Sequence, residues 1–224
     1  MSIASYIEHT ILKPDTTIAD IETLCMEAMM FGFAAVCVPP YYVADAKRRL
    51  MGGPVKVVTV AGFPFGYGNT SAKLIEIHEA ITSGADEIDV VQNLAAVKSK
   101  NTAYATAEIA ECVEMIYSSG KIIKVILETG LLTDTQIKAC CKAYGALNVD
   151  YVKTSTGYAG EGATVHAVQL MRRSLPEHVM IKASGGIRTF EFAKELIAAG
   201  ANRIGCSGSV QIVHAEGLLK SKNK

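Results

Sequence analysis

The 224-residue sequence predicts an α/β fold, and specifically a (β/α)8 TIM barrel that forms a single domain over residues 1–224. Two observations favour this fold. Short β-branched runs alternate with longer helical patterns, and the chain length suits eight compact strand–helix units. A doubly wound open sheet is the competing architecture. No linker or break in composition divides the chain.

Seven predicted strands are short apolar or β-branched runs, at residues 34–38, 55–60, 86–91, 122–127, 150–153, 179–183 and 203–206. An eighth strand is expected at residues 6–10, before the first long helix. The helical segments between the strands include residues 17–32, 70–84, 133–145 and 189–200. Each helical segment starts near a threonine suited to capping and ends near a glycine, which is the usual order of helix signals.

Composition and charge limit the classes of protein to consider. Lys plus Arg and Asp plus Glu both number 22, and half of the residues are apolar. Neither a disordered chain nor a basic nucleic-acid-binding surface is therefore expected. None of the six cysteines forms a CxxC pair, and in a chain of this size they are expected to be free thiols of a reducing compartment. The N-terminus lacks a basic signal-peptide region, and no stretch has the length of a membrane span, so we expect a cytoplasmic protein with no membrane partner.

Charged residues interrupt strands that a barrel should bury on both faces. Because side chains alternate along a strand, Asp89, Lys124, Lys153 and Lys182 lie opposite the apolar residues of their own strands. If the apolar faces pack against the helices, these four residues point into the barrel and form one ionisable cluster. A salt-bridge network that only fills the barrel is the alternative to a catalytic role.

Such a cluster suits amine chemistry. An ordinary lysine, with a pKa near 10.4, is almost wholly protonated at pH 7, but a second ammonium nearby can bring the pKa toward about 7–8. The neutral amine attacks an aldehyde or ketone to give an iminium ion, which lets an adjacent C–C bond form or break. Lys153 and Lys182 are expected at strand carboxyl ends, where barrel active sites lie. The pattern alone does not say which lysine is the nucleophile.

Two glycine-rich turns follow the last two strands, where barrels commonly hold phosphate. They are residues 184–188 (Ser-Gly-Gly-Ile-Arg) and 205–209 (Gly-Cys-Ser-Gly-Ser). Both can present backbone N–H groups to an anion at the start of a helix, although tight turn geometry would also explain them. Neither turn matches a nucleotide-binding motif, and the histidines lack metal-ligand spacing. No cofactor and no metal are therefore expected.

Eight motifs, in order along residues 3–213, resemble those of the deoxyribose-phosphate aldolase family. They are Ile7-Glu-His-Thr-Ile-Leu-Lys-Pro14, Val36-Cys-Val-Pro39, Gly62-Phe-Pro64, Glu87-Ile-Asp-Val-Val91, Lys124-Val-Ile-Leu-Glu-Thr129, Tyr151-Val-Lys-Thr-Ser-Thr-Gly157, Lys182-Ala-Ser-Gly-Gly-Ile-Arg188 and Arg203-Ile-Gly205. The resemblance implies a metal-free class I aldolase on a (β/α)8 barrel. Its reaction would be the reversible cleavage of 2-deoxy-D-ribose 5-phosphate to D-glyceraldehyde 3-phosphate and acetaldehyde, so its partners would be small phosphosugars and aldehydes.

The same resemblance assigns roles to particular residues. Lys153 would be the Schiff-base nucleophile, Lys182 the lysine that perturbs it, and Asp89 the proton-relay carboxylate. Lys124 would be a supporting cation inside the barrel, and Cys37 matches an active-site thiol that the chemistry does not require. The positions that match the family's phosphate loops are Gly157, Gly185, Gly186, Gly205 and Ser207.

The sequence departs from the family pattern in three places. Glu8 stands where the family usually has Asp, which leaves its role toward the substrate open. Gly208 replaces a common second serine in the eighth loop, so one hydroxyl donor is lost. The C-terminal residues 218–224 lack the terminal Tyr of some members, and no catalytic role is assigned to them.

Two other functions remain open at this point. One is a different phosphosugar barrel, such as an isomerase or a keto-acid aldolase, although an isomerase needs no imine. The other is a non-catalytic phosphate-binding protein, which would have little use for costly buried lysines. The sequence does not fix the oligomeric state, and a homo-oligomer such as a dimer is one option.

Overall fold

The computed structural model describes residues 2–222, with side chains described as far as Leu218. Eight parallel strands close into a barrel in chain order, with the last strand paired to the first. The strands are β1 (Ile7–Thr10), β2 (Ala35–Cys37), β3 (Lys56–Ala61), β4 (Glu87–Val91), β5 (Ile122–Ile126), β6 (Tyr151–Lys153), β7 (Met180–Ser184) and β8 (Arg203–Cys206). The predicted barrel is confirmed, including its short first strand, and the open sheet is wrong.

Helices cover the outside of the barrel. Within residues 2–222 they are α1 (Ile18–Phe31), α2 (Val43–Arg49), α3 (Thr70–Thr82), α4 (Leu94–Lys98), α5 (Thr102–Ser118), α6 (Asp134–Ala146), α7 (Val165–Ser174), α8 (Phe190–Ala198) and α9 (Ser209–Lys222). Of the C-terminal segment to which the sequence assigns no catalytic role, the side chains of residues 219–222 and the whole of residues 223–224 lie outside the described part of the chain.

Threonine side chains begin several helices as predicted. At α1, the Thr17 hydroxyl accepts from the Asp20 N–H at 3.4 Å, and the Asp20 carboxylate accepts from the Thr17 N–H at 2.8 Å. This reciprocal pair satisfies two N–H groups that a helix start otherwise leaves free. The Thr189 hydroxyl accepts from the Phe192 N–H at 3.2 Å and caps α8 in the simpler way.

Two predicted helix signals are wrong in detail. Thr70 does not cap α3 but is its first residue, and its hydroxyl lies 3.4 Å from the Glu108 carboxylate on α5. Gly145 does not end α6, which continues one residue further. A side chain at Gly145 would lie 2.7 Å from the Pro176 ring, so this glycine permits close packing instead. Asn148, with φ of 55°, makes the left-handed turn that follows.

The strands alternate as the sequence predicts. Ile88, Val125, Val152 and Ile181 belong to the main apolar core and are fully buried. The opposite faces line the inside of the barrel, where apolar and charged residues occupy different strands. Ala35, Cys37, Val58 and Val60 form a separate apolar cluster inside β2 and β3, packed against Leu12 and Phe63.

Candidate active site

Strands β4 to β7 bring the three predicted lysines together around the carboxylate of Asp89. The Nζ atoms of Lys153 and Lys182 each lie 2.7 Å from Oδ2 of Asp89, and Nζ of Lys124 lies 3.0 Å from its Oδ1. All four side chains are at most 3 % exposed. Burial of this many charges is tolerable only because each is paired at hydrogen-bonding distance.

Strand register explains how residues far apart in sequence meet. Asp89 of β4 pairs with Lys124 of β5, and Lys153 of β6 pairs with Lys182 of β7. Lys153 is the last residue of β6, as predicted, whereas two further residues of β7 follow Lys182. Lys182 is therefore not at the end of its strand, but the register still places it beside Lys153.

The three lysines differ in how many carboxylates surround them. Lys124 has three within reach, at 2.6 Å from Glu87, 3.0 Å from Asp89 and 3.6 Å from Glu8. Lys182 has two, Glu8 and Asp89. Within residues 2–222, Lys153 pairs with Asp89 alone. Because each nearby carboxylate stabilises an ammonium, Lys153 has the least electrostatic support as a cation. The geometry thus favours Lys153 as the lysine that supplies a neutral amine.

The pKa shifts follow from these contacts. Burial acts to raise the pKa of the Asp89 carboxyl, but the ammoniums of Lys124, Lys153 and Lys182 outweigh burial and hold it well below its usual value. The pKa of Glu8 is lowered against burial by Lys124 and Lys182. Burial alone would lower the pKa of Lys124 and Lys182, yet the carboxylates of Asp89 and Glu8 raise both. These four groups therefore stay charged at neutral pH.

A cavity of about 270 Å³ opens onto two of the lysines at the carboxyl end of the barrel. Lys153 and Lys182 line it, together with exposed Arg188 and Lys13. Every predicted phosphate-loop residue also lines this cavity: Gly157, Gly185, Gly186, Gly205 and Ser207. The cavity thus combines a candidate nucleophile with glycine-rich turns and two cations, an arrangement suited to an anionic carbonyl compound.

A family model described as "DeoC/LacD family aldolase" matches residues 3–212. The chain belongs to this family. The family resemblance predicted from the sequence motifs is therefore confirmed, and so are the aldolase class and the barrel fold that it implied.

Individual relatives support the DeoC/LacD assignment. The chain is 48 % identical to a deoxyribose-phosphate aldolase of Caldicellulosiruptor saccharolyticus, over 94 % of this chain and 96 % of that one. A solved structure from Coccidioides immitis, described as a putative deoxyribose-phosphate aldolase, matches with a TM-score of 0.92 and 40 % identity, over 96 % and 85 % of the two chains. A deoxyribose phosphate aldolase from Aeropyrum pernix, described as tetrameric, matches with a TM-score of 0.90 and 32 % identity, over 97 % and 92 %.

Four residues that the sequence linked to the family site lie outside the cavity lining: Asp89, Lys124, Glu8 and Cys37. Glu8 contacts Lys182 and Lys124 from β1 and is fully buried, so its longer side chain serves the lysines. Cys37 is buried in the apolar cluster, where burial raises the pKa of its thiol to about 11. A thiol that stays protonated at neutral pH agrees with the expectation that Cys37 is not needed for chemistry.

Sequence reasoning missed three residues that this DeoC/LacD chain places at the site. Glu87 supports Lys124, and its position two residues before Asp89 on one strand was the available signal. Arg203 lies with Nε 3.8 Å from Glu8, at the start of β8. Glu128, two residues after the end of β5, contacts the loop that follows Lys153, and no periodicity marks it.

Proposed function

We propose that this chain is a class I aldolase that reversibly cleaves 2-deoxy-D-ribose 5-phosphate to D-glyceraldehyde 3-phosphate and acetaldehyde. The observation that carries the proposal is Lys153, a buried lysine with a single carboxylate partner, in a cavity lined with glycine turns. The name of the 48 %-identical relative, deoxyribose-phosphate aldolase, supports the choice of substrate. The proposal treats the whole chain as one catalytic domain.

The reaction begins at the Lys153 amine. Neutral Nζ attacks C1 of the open-chain sugar, and loss of water from the carbinolamine gives an iminium ion. Removal of the proton from the C3 hydroxyl then breaks the C2–C3 bond, and its electron pair moves into the iminium to form an enamine. Glyceraldehyde 3-phosphate leaves as the C3 carbonyl forms. Protonation of the enamine at C2 and hydrolysis release acetaldehyde and return the free amine.

Asp89 and Lys182 are the groups placed to serve these proton transfers. The Asp89 carboxylate lies 2.7 Å from both lysine nitrogens, so its Oδ2 is placed to take up and return a proton at Lys153. Lys182 keeps its charge because two carboxylates raise its pKa. Lys182 and Lys153 share Oδ2 of Asp89, so a fixed positive charge stands beside the nucleophile. Lys124 anchors Asp89 from the other side through Oδ1.

The glycine turns after β7 and β8 would hold the phosphate. Gly185 and Gly186 precede α8, and Gly205 and Ser207 precede α9, so backbone N–H groups and helix dipoles favour an anion there. Arg188 and Lys13 at the cavity edge add positive charge. Binding of the remote phosphate would position the sugar carbonyl at Lys153.

Trapping of the iminium tests this proposal. Borohydride with acetaldehyde should leave a stable adduct on Lys153, located by peptide mass spectrometry. Lys153→Arg keeps the charge but removes the nucleophile, since a guanidinium stays protonated. That variant should fold, bind phosphate and lose nearly all aldol cleavage. An adduct on Lys182 or Lys124, or substantial activity in Lys153→Arg, would contradict the assignment.

Two properties of the protein outside the site complete the proposal. Within residues 2–222 the helices are too short or too polar to cross a lipid bilayer. The six cysteines are free and buried, which supports a reducing, cytoplasmic location.

We also propose a homo-oligomer, since the Aeropyrum pernix relative is described as tetrameric. Light scattering of the purified protein would give the number of subunits.

A further inference from the structure

Glu128, the second residue after β5, combines three unusual features. Glu128 has φ of 58° and ψ of 62°, the left-handed conformation that disfavours a residue with a side chain. Its side chain is buried, with the residue only 4 % exposed. In the described part of the chain its carboxylate forms no ion pair. A buried carboxylate without a cation is costly, so a specific contact must stabilise this one.

The backbone shows why Glu128 adopts this conformation. The Leu127 N–H donates to the Lys153 carbonyl, and the Thr129 N–H donates to the Thr154 carbonyl, both at 2.9 Å. From the first bond to the second, the donor moves two residues, from 127 to 129, whereas the acceptor moves only one residue, from 153 to 154. Glu128 is therefore the extra residue of a local bulge, and such bulges redirect a side chain.

That side chain reaches the loop after Lys153. The Thr156 N–H donates to Glu128 Oε2 at 3.1 Å and to Oε1 at 3.3 Å, and the Thr156 hydroxyl donates to Oε2. The same hydroxyl accepts from the Tyr158 N–H at 3.1 Å. The carboxylate thus holds Thr156 directly and the Tyr158 N–H through the Thr156 hydroxyl, while the Tyr158 hydroxyl separately donates to the Leu12 carbonyl at 2.8 Å. Residues 156–158 all line the cavity beside Gly185.

The other side of the same segment is also held. The Thr154 hydroxyl donates to the Ser184 carbonyl and accepts from the Ser184 N–H, each at 3.0 Å. Thr154 is thereby attached to β7, whereas Thr156 is attached to the end of β5. The residues that follow Lys153 are held from both neighbouring strands: on the β5 side the Thr129 N–H binds the Thr154 carbonyl, and the Glu128 carboxylate binds Thr156.

We propose that Glu128 is a positioning residue that sets the 156–158 turn as one wall of the anion-binding end of the cavity. This inference rests on the proposed function for its substrate, 2-deoxyribose 5-phosphate. By charge alone, a carboxylate near an anion site should weaken anion binding by repulsion. The carboxylate favours binding instead because its two oxygens accept from both donors of Thr156 and order the turn.

Four variants separate positioning from charge. Glu128→Gly removes the carboxylate without backbone strain, since glycine accepts φ of 58° readily. Glu128→Gln removes the charge but keeps an oxygen at the Oε2 position. Thr156→Val removes the hydroxyl and keeps the shape. Glu161→Gln, at an exposed residue of the same loop, is the matched control for loss of a carboxylate.

The first readout is the affinity for inorganic phosphate, measured by isothermal titration. Glu128→Gly should weaken phosphate binding at least tenfold, and Thr156→Val should weaken it in the same direction. Glu128→Gln should stay within about threefold of the wild type, and Glu161→Gln within about twofold. Tighter phosphate binding in Glu128→Gly would show repulsion to be the only effect and overturn the inference, as would unchanged affinity.

The second readout is turnover. Glu128→Gly should raise KM for 2-deoxyribose 5-phosphate far more than for unphosphorylated 2-deoxyribose, and borohydride trapping with acetaldehyde should persist. Equal losses on both sugars would indicate a merely structural role and contradict the inference. If Glu128→Gly does not fold, Thr156→Val carries the same test. A wild type that binds phosphate but neither cleaves the sugar nor traps acetaldehyde would instead overturn the proposed function.

Discussion

Nζ of Lys153 lies 2.7 Å from Oδ2 of Asp89, and in the described part of the chain this is the one ion pair that Lys153 forms. The other two lysines of the cluster each pair with at least two carboxylates. Among the described residues, the fold thus surrounds Lys124 and Lys182 with two or more carboxylates each and leaves Lys153, at the cavity, with one. This gradient, rather than the presence of lysines, distinguishes a reactive amine from structural charges.

The role of Glu8 should appear at alkaline pH. The pKa of Lys182 is raised by Asp89 and Glu8, so its charge persists until the pH passes that raised value. Glu8→Gln removes one of the two carboxylates and lowers the pKa of Lys182. The alkaline limb of the kcat profile should therefore move to lower pH. Glu87→Gln is the matched control, because Glu87 pairs with Lys124. An alkaline limb that Glu8→Gln moves no further than Glu87→Gln does would remove Glu8 from this role.

The turn after β7 should control affinity for the phosphate. Gly186 is exposed with φ of 73°, and nothing lies within 4 Å of a Cβ placed there. Gly186→Asp and Gly186→Asn impose similar shape, and both residue types tolerate this conformation better than most. Only Asp adds a charge that repels the dianion. KM for 2-deoxyribose 5-phosphate should rise at least tenfold more in Gly186→Asp than in Gly186→Asn. Similar KM values in the two variants would argue against an anion at this turn.

Replacing Lys124 should mainly lower the stability of the fold, whereas replacing Lys153 should mainly lower activity. Lys124→Met leaves Glu87, Asp89 and Glu8 with too few cations in the interior, and breaking such buried pairs costs about 3–5 kcal/mol. Lys153→Met removes a lysine with one carboxylate partner at a cavity open to water, so its cost should be smaller. Denaturant unfolding at pH 7 measures both. Lys153→Met should nevertheless be the less active variant. The prediction fails if Lys153→Met proves the less stable of the two.

Cys37 should be dispensable for turnover. Burial raises the pKa of its thiol to about 11, so alkylation of the folded protein at pH 8 should be slow and should accelerate only on unfolding. Cys37→Ala should keep kcat and KM within about twofold, while losing about 1 kcal/mol of stability from the smaller side chain in the apolar cluster. A large drop in kcat for Cys37→Ala would restore a chemical role for the thiol.

Much of the site was predictable because strand alternation is strict. The parity of Lys124, Lys153 and Lys182 against their apolar neighbours placed all three inside the barrel before any register was known. Register and distance were not predictable from one sequence. Which carboxylates surround Lys124 depends on how far β4 slides along β5, and this depends on packing around the whole barrel.

Residues in loops were harder to predict. Glu128 acquires its contact with Thr156 from a one-residue bulge, which no sequence periodicity predicts.

Helix ends were intermediate in difficulty. The threonine signal was right for Thr17, but Thr70 carries the same signal and instead contacts Glu108 on a neighbouring helix. A local preference yields where a tertiary contact satisfies the same hydroxyl.

The pairing of β1 with β8 has a consequence for synthesis of the chain. Glu8 meets Lys182 across 174 positions of sequence, and its own strand finds its second neighbour only in β8. We expect a polypeptide emerging from the ribosome to leave Glu8 accessible to water until β8 pairs with β1 and closes the barrel. We expect fragments that end before residue 203 to be inert toward aldehydes, which would spare the cell a reactive amine on unfinished chains.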